Sequence, residues 1–259
     1  MRENLRDLTA SGATKVSGGA YRDVDISGSA HVDGDIVCEN FGASGSVKVV
    51  GAVSCDQFRA SGSARIDGNL TASEVKSSGS TSIRGSVDAK ELNASGSFKA
   101  EGGVTAEGEV RVSGSSSFGG PIRAKTVRTS GSFKAVRGIE CETLTVMGSI
   151  DVDGLVNAGA AEIDLAGPSH IDEIGGERIT VRRKGFFSVL GIQLPFGLSG
   201  FLSANAIEAT SVSLESTRAK VVRGAEVTIG SGCEIDRVEY SVSLNVAEDA
   251  IVRERVKAD

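Results

Sequence analysis

The sequence has few of the residues that build a bulky globular core. Among its 259 residues there is no tryptophan, aromatic residues make up 4%, and there are only 3 prolines and 4 cysteines. A core of large aromatic side chains is not expected, whereas 34 glycines and a hydrophobic content of 39% suit thin layers that repeat. The net charge of −6 lacks the basic excess that binding to phosphates requires, so no nucleic-acid partner is expected.

Signals for export and for metal binding are also missing. The first residues, MRENLRDLTASG, carry charges and no apolar run. Neither a secretory signal nor an N-terminal membrane helix is predicted, and a cytoplasmic location is expected. The cysteines form no C-x-x-C pair and have no histidine nearby, so we expect no metal and no other cofactor.

What the chain does contain is a repeat with a nearly constant period. A glycine, usually within Ser-Gly-Ser, recurs along the chain with successive gaps of 17, 17, 17, 17, 18, 17 and 17. The eighth residue after each corner glycine is Ile, Val or Leu, and the tenth is Ala or Cys. The corner glycines are Gly28, Gly45, Gly62, Gly79, Gly96, Gly114, Gly131 and Gly148, and the residues at the eighth position are Ile36, Val53, Leu70, Val87, Val104, Ile122, Ile139 and Val156.

Within each repeat the apolar residues come in pairs, and the two members of a pair are two residues apart. This spacing is typical of strands, because side chains alternate between the faces of a strand. A helix would place apolar residues three and four apart. We therefore predict an all-β fold, a parallel β-helix (β-solenoid) in which each repeat is one coil of three short strands. Glycine at the corner, and again six residues later, predicts backbone with positive φ.

The repeat divides the chain into four segments. Residues 1–19 are predicted to be an N-terminal lead-in, and residues 20–176 the main β-helix. Residues 177–205 are predicted to form a strand and an apolar insertion loop. Residues 206–259 regain the strand alternation with fewer glycines, so we expect further β-helix coils there.

The insertion is the predicted contact site. Residues 186–202 read FFSVLGIQLPFGLSGFL without a charge, and Arg182, Arg183 and Lys184 stand just before them. Such a loop can enter a membrane surface while the cations meet anionic headgroups. It can equally cover a solenoid end or pair with a second subunit, whereas a spanning helix is disfavoured because Pro195 and several glycines interrupt it. The candidate membrane or partner contacts are Arg182, Arg183, Lys184, Phe186, Phe187, Leu190, Phe196 and Phe201.

No catalytic residue is assigned, and the chain is not expected to be an enzyme. His31 and His170 lie on the outward parity of their strands, and no recognisable motif places a nucleophile beside either. The competing class is a carbohydrate-active enzyme or binding module on a β-helix. Such an enzyme would need an outward cluster of carboxylates.

Two further columns have structural interpretations. Asp67, Arg84 and Glu101 alternate in sign down one outward column, which predicts a solvated ladder that fixes the register of the coils. Cys38 and Cys55 share the tenth position, where other repeats have alanine. We therefore expect small buried thiols there rather than a disulfide.

The repeats resemble a known family. The runs ISGSAHVDGDIVCENFGASG and RASGSARIDGNLTASEVKSSG, with the ending VRGAEVTIGSGCEIDRVEY, are similar to bactofilins, the bacterial polymer-forming cytoskeletal proteins. The resemblance covers residues 20–176 and, less closely, the C-terminal part, as in longer members with a second coil-containing segment. It implies that the β-helix is right-handed and that the chain polymerises end to end into nonpolar filaments without nucleotide.

The same resemblance implies a cellular role. Bactofilins are scaffolds for cell shape, wall-modifying enzymes or flagellar assembly at the inner face of the cytoplasmic membrane. The implied partners are further copies of the chain, a homologous subunit and the membrane surface. The apolar N-terminal targeting peptide and Pro-rich tails common in the family are missing here, so membrane attachment would depend on residues 186–202.

Overall fold

The protein is a β-solenoid. The computed structural model describes residues 5–183 and 200–258 in full and, between these ranges, the backbone of two short strands. The described residues form strands and no helix, and parallel strands stack in about 14 turns that are roughly 17 residues apart. The predicted all-β solenoid is therefore confirmed. The chain divides into two compact units, Met1–Lys125 and Thr126–Asp259.

The first unit is built from short strands separated by polar or glycine-containing corners. Its strands are β1 (Leu8–Ala10), β2 (Ala13–Ala20), β3 (Asp23–Ile26), β4 (Ser29–Ala43), β5 (Ser46–Val49), β6 (Val53–Ala60), β7 (Ser63–Ile66), β8 (Leu70–Ser77), β9 (Ser80–Ile83), β10 (Val87–Ala100), β11 (Val104–Ala106) and β12 (Glu109–Phe118). A further strand, β13 (Ile122–Ala135), begins in this unit.

In the first unit, equivalent residues of successive turns pair in parallel register. Ile36 pairs with Val53, and Val53 pairs with Leu70. Their exposed fractions are 1% or less, and the other residues at the eighth position are also buried. The rings of Phe41 and Phe58 stack with centroids 5.1 Å apart and planes at 12°. The inward columns predicted from the repeat thus form the core.

Close packing between turns explains the first corner glycines. A Cβ atom on Gly62 would lie 1.9 Å from the carbonyl oxygen of Gly45 and 2.5 Å from that of Ser44. Gly62 does not have positive φ, and the other corner glycines of the first four repeats do not either. The expectation of positive φ is therefore wrong at these corners. It holds at later ones such as Gly96, where φ is 107°.

The second unit has longer strands that bend through the corners. After β13 come β14 (Ile139–Leu165), β15 (Ser169–Arg183), β16 (Phe186–Val189), β17 (Ile192–Pro195), β18 (Leu202–Leu214), β19 (Thr217–Ile229), β20 (Glu234–Val246) and β21 (Ile251–Lys257). β14, β15, β18, β19, β20 and β21 pair in parallel in that order. β16 and β17 form a separate antiparallel pair, with Phe186 opposite Pro195.

The pairing extends beyond the boundaries predicted from the sequence. β1 and β2 already pair with β3 and β4, so residues 8–20 belong to the stack and are not only a lead-in. β15 stays paired through Arg183, past the predicted limit at 176, and Ile174 is buried within it. β15 pairs in parallel with β18, from Ser169 opposite Leu202 to Val181 opposite Leu214. The strands before and after the insertion are therefore direct neighbours in the stack.

Candidate functional site

The first turn of the first unit has an open strand edge with an uncharged inward face. Among the described residues, β1 pairs only with β3, and β2 pairs only with β4. The register places Leu8 next to Val24 and Val16 next to Val32. Val24 and Val32 are buried, whereas Leu8 and Val16 are half-buried. Backbone groups and apolar side chains are therefore both available at this edge, which we call the N-terminal edge.

The last strand has a different edge, which we call the C-terminal edge. Over residues 200–258, β21 pairs only with β20. The register places Arg255 next to the buried Val238 and Lys257 next to the half-buried Tyr240. Val252 and Val256 are the half-buried apolar residues of this strand. Charged side chains at inward positions of an edge strand discourage pairing with another sheet.

Two of the predicted contact cations lie at the end of β15. The Arg182 Nε donates to Asp164 Oδ1 at 3.0 Å, and its Nη2 lies 3.3 Å from Glu162 Oε2. The hydrogen bond to Asp164 and the charges of both carboxylates raise the pKa of Arg182 above its usual value. The backbone N–H of Arg183 donates to Glu215 Oε2 at 3.0 Å. Arg182 therefore already has acidic partners on the solenoid.

The remaining predicted contact residues fall into three groups. Phe186 lies in β16, whose backbone pairs with β17, and Phe187 lies beside it in the same strand. Phe201 is half-buried, and the Arg218 guanidinium carbon lies 5.5 Å from the centroid of its ring. Its carbonyl oxygen accepts the Ser169 N–H at 2.9 Å, so Phe201 belongs to a solenoid turn. Three predicted residues lie outside the described residues: Lys184, Leu190 and Phe196.

Of the predicted contact residues, Arg182, Arg183 and Phe201 lie on the described part of the solenoid. No helix within the described residues is both long enough and apolar enough to cross a bilayer. Contact with a membrane surface therefore stays a prediction.

The predicted charge ladder is present in part. Asp67 Oδ1 lies 3.2 Å from both Arg84 Nη1 and Arg65 Nε, and Lys48 Nζ lies 3.7 Å from Asp67 Oδ2. Burial alone would raise the pKa of Asp67, but the three cations more than offset this and lower it. Glu101, which follows β10, pairs with Lys99 of that strand at 3.2 Å. The ladder thus links the turns around Asp67.

Both histidines pair with an aspartate two residues further along the same strand. His31 Nε2 lies 3.0 Å from Asp33 Oδ1, and His170 Nε2 lies 3.2 Å from Asp172 Oδ1. Asn205 Nδ2 also donates to Asp172 Oδ1 at 3.2 Å. In the parts of the chain that the structure describes, no cluster of three or more His, Cys, Asp or Glu residues could hold a metal ion. The two His–Asp pairs have the same two-residue spacing as the surface pairs Arg65–Asp67 and Lys99–Glu101.

Sequence reasoning missed the charged C-terminal edge. Arg255 stands one repeat period after Val238, and Lys257 stands one period after Tyr240. Counting one 17-residue period forward from Val238 and Tyr240 reaches these cations. Sequence reasoning did not reach them because the repeat is marked by corner glycines, and glycine is sparse after residue 205.

Comparisons with known proteins give relatives without a stated function. No protein-family model matches the chain, and no solved structure matches it. The uncharacterized protein YhbF of Bacillus subtilis (strain 168) is 41% identical over 106 residues, which cover 40% of this chain and 42% of YhbF. The uncharacterized protein YhbE of the same strain is 41% identical over 92 residues, 35% of this chain and 37% of YhbE.

The matched region is limited. The chain spans about two fifths of the length of the curated relatives it matches. Their names state no activity, partner or location. The resemblance to bactofilins therefore stays a prediction from the residues.

Proposed function

We propose that this protein is a non-enzymatic structural scaffold that self-associates through the open edges of its solenoid. The observation that supports this most is the N-terminal edge. Leu8 and Val16 are half-buried there, and β1 and β2 have one partner strand each among the described residues. Unpaired edges of this kind are templates for pairing with another chain.

A second copy of the chain suits this edge. Pairing with it would satisfy the free N–H and C=O groups of β1 and β2 and cover both half-buried side chains. No charge at the inward positions of β1 and β2 opposes this, because Leu8, Ala10, Thr14 and Val16 carry none.

The C-terminal edge suits a different partner. Two such edges would bring Arg255 and Lys257 of one copy against the same cations of another. A charge that is buried without a partner of opposite sign destabilises a structure by about 3–5 kcal/mol. We therefore propose that assembly begins between N-terminal edges. Growth into filaments then needs a second kind of subunit that pairs with the C-terminal edge and places acidic residues against Arg255 and Lys257. A homologous subunit is the candidate.

The place of assembly is also a proposal. By resemblance to bactofilins we assign the scaffold to the inner face of the cytoplasmic membrane, in support of cell shape or of flagellar or envelope assembly. The segment that includes β16 and β17 is the proposed contact with the membrane surface. Replacing Phe186 and Phe187 by serine should release the protein from anionic vesicles in co-sedimentation. Unchanged co-sedimentation would refute the membrane contact and leave self-association standing.

Self-association is tested by sedimentation velocity and electron microscopy of the purified chain. Val16→Lys should weaken association at least about tenfold, because a lysine at the N-terminal edge would be buried without a partner. Val50→Lys is the matched control, since Val50 is 43% exposed on the flank of the first unit. The proposal fails if the unaltered chain stays monomeric across salt and protein concentration, or if both variants assemble alike.

A further inference from the structure

Cys38 and Cys55 form a pair of neighbouring thiols in the first unit. They are register partners in β4 and β6. Both cysteines are free, and their exposed fractions are 8% and 9%. Ala72 follows Cys55 in the same column, and Tyr21 stands one repeat before Cys38. The column therefore offers two adjacent sulfur atoms, bounded by a methyl group on one side and an aromatic ring on the other.

A cavity opens onto this pair. Its volume is about 390 Å³, and both cysteines line it. Glu39 and Asp56 belong to the same lining and place carboxylates beside the thiols. An acidic wall favours the entry of a cation, and the cavity supplies the route that a metal site needs. The other lining residues are Leu5, Tyr21, Val37 and Ser54.

The spacing of the two turns fits a linear metal–dithiolate unit. Neighbouring strands lie about 4.8 Å apart, and side chains in register stack at that distance. With the zinc–thiolate length of about 2.3 Å as a guide, two collinear metal–sulfur bonds span about 4.6 Å. A disulfide would instead require the sulfur atoms to approach to about 2.05 Å. Thiolate is a soft ligand that selects Cu(I), zinc and iron–sulfur clusters. Structural zinc and iron–sulfur clusters take four protein ligands, so a site with two collinear sulfur ligands favours Cu(I).

We propose that Cys38 and Cys55 bind one Cu(I) ion between two turns of the solenoid. The ion takes one thiolate from each turn, and the two thiol protons leave to solvent. This site is independent of the proposed self-association.

The site is tested by titrating the reduced, full-length chain with Cu(I) under anaerobic conditions, in competition with a chromophoric Cu(I) chelator. One Cu(I) should bind per chain. Cys38→Ala and Cys55→Ala should each weaken binding by about 100-fold or more, since loss of a ligand exceeds the 10- to 100-fold effect of an outer partner. Cys141→Ala is the matched control. Cys141 has the same position in its repeat, but alanine occupies that position in the repeats before and after it, at Ala124 and Ala158.

A second measurement does not depend on variants. Copper loading should lower the alkylation of Cys38 and Cys55 relative to the copper-free chain, as read by peptide mapping, and should leave that of Cys141 unchanged. Equal protection of all three, or copper affinity unchanged by Cys38→Ala, would overturn the site. A Cys38–Cys55 disulfide in place of bound copper would also overturn it. The alanine variants are expected to fold, because Ala72 and Ala89 are buried at the same position of other turns.

Discussion

Alanine at Gly62 is expected to destabilise the first unit, whereas alanine at Gly12 is not. Gly12 is the corner glycine of the first turn, and no atom lies within 4 Å of the position of its Cβ. At Gly62 the Cβ would lie 1.9 Å from the Gly45 carbonyl oxygen, where ordinary contact begins at 3.4 Å. Gly45 belongs to the preceding turn, so the two turns must separate at this corner until the contact reaches an ordinary distance.

The size of the effect follows from the hydrogen bonds at the corner. The Ser63 N–H donates to the Gly45 carbonyl at 2.9 Å, and the Gly62 N–H donates to the Ala43 carbonyl at 3.4 Å. The separation of the turns would break both. Water reaches this corner, since Ser63 is exposed and Gly62 is half-buried, so each broken bond costs about 0.5–1.5 kcal/mol and the loss is about 1–3 kcal/mol. Alanine also lowers the conformational entropy of the unfolded chain, which stabilises the folded state by about 0.4–1 kcal/mol and offsets part of this loss.

Equilibrium unfolding in guanidinium chloride, followed by circular dichroism, measures this difference. Low protein concentration keeps association from contributing to stability. The free energy of unfolding of Gly12→Ala should match or slightly exceed that of the unaltered chain, and that of Gly62→Ala should be lower by about 1–2 kcal/mol. If the free energies of unfolding of the two variants agree within about 0.5 kcal/mol, close packing is not the reason for glycine at these corners.

Four further changes test other parts of the structure. Phe58→Ala removes half of the stacked ring pair and should lower the free energy of unfolding by about 3–5 kcal/mol in the same assay. Burial raises the pKa of Cys141 to about 11, so its alkylation by iodoacetamide should be slower at pH 8 than that of a free thiol and should accelerate only as the pH approaches 11. Asp67 has a lowered pKa when folded, so it stabilises the fold at neutral pH and this contribution is lost as the pH falls through that lowered value. The difference in unfolding free energy between the unaltered chain and Asp67→Asn should therefore shrink below about pH 4, and a constant difference would contradict the ion-pair account. Replacing Arg255 and Lys257 by leucine should increase the mean size of assemblies in sedimentation velocity, and an unchanged size would show that these cations do not limit stacking.

The period of the sequence predicted the core because one geometric rule governs each turn. The residue at the eighth position faces inward whenever the chain advances by one coil, so reading Ile36 and Val53 in one column was enough to place both in the core. The same reading placed Cys38 beside Cys55. It could not place the cavity next to them, because that space depends on Leu5 and Tyr21, which precede the first corner glycine in the repeat.

The expectation for the first corner glycines failed for a local reason, and one segment boundary falls inside a strand. The repeat alone ascribes glycine at Gly62 to its own backbone conformation, but the requirement comes from the carbonyl of a residue one turn earlier, Gly45. A pattern within one repeat does not contain that contact. The predicted limit at residue 176 falls where the glycine rhythm ends, but β15 continues to Arg183 because strand pairing needs inward apolar residues, and Ile179 and Val181 supply them.

Because β15 and β18 pair directly, the solenoid does not depend on the segment inserted between them. Ser169 meets Leu202 and Val181 meets Leu214, as they would if the chain passed straight from one strand to the next. Evolution or an engineer could therefore shorten, exchange or graft a foreign module at this junction without realigning the layers on either side.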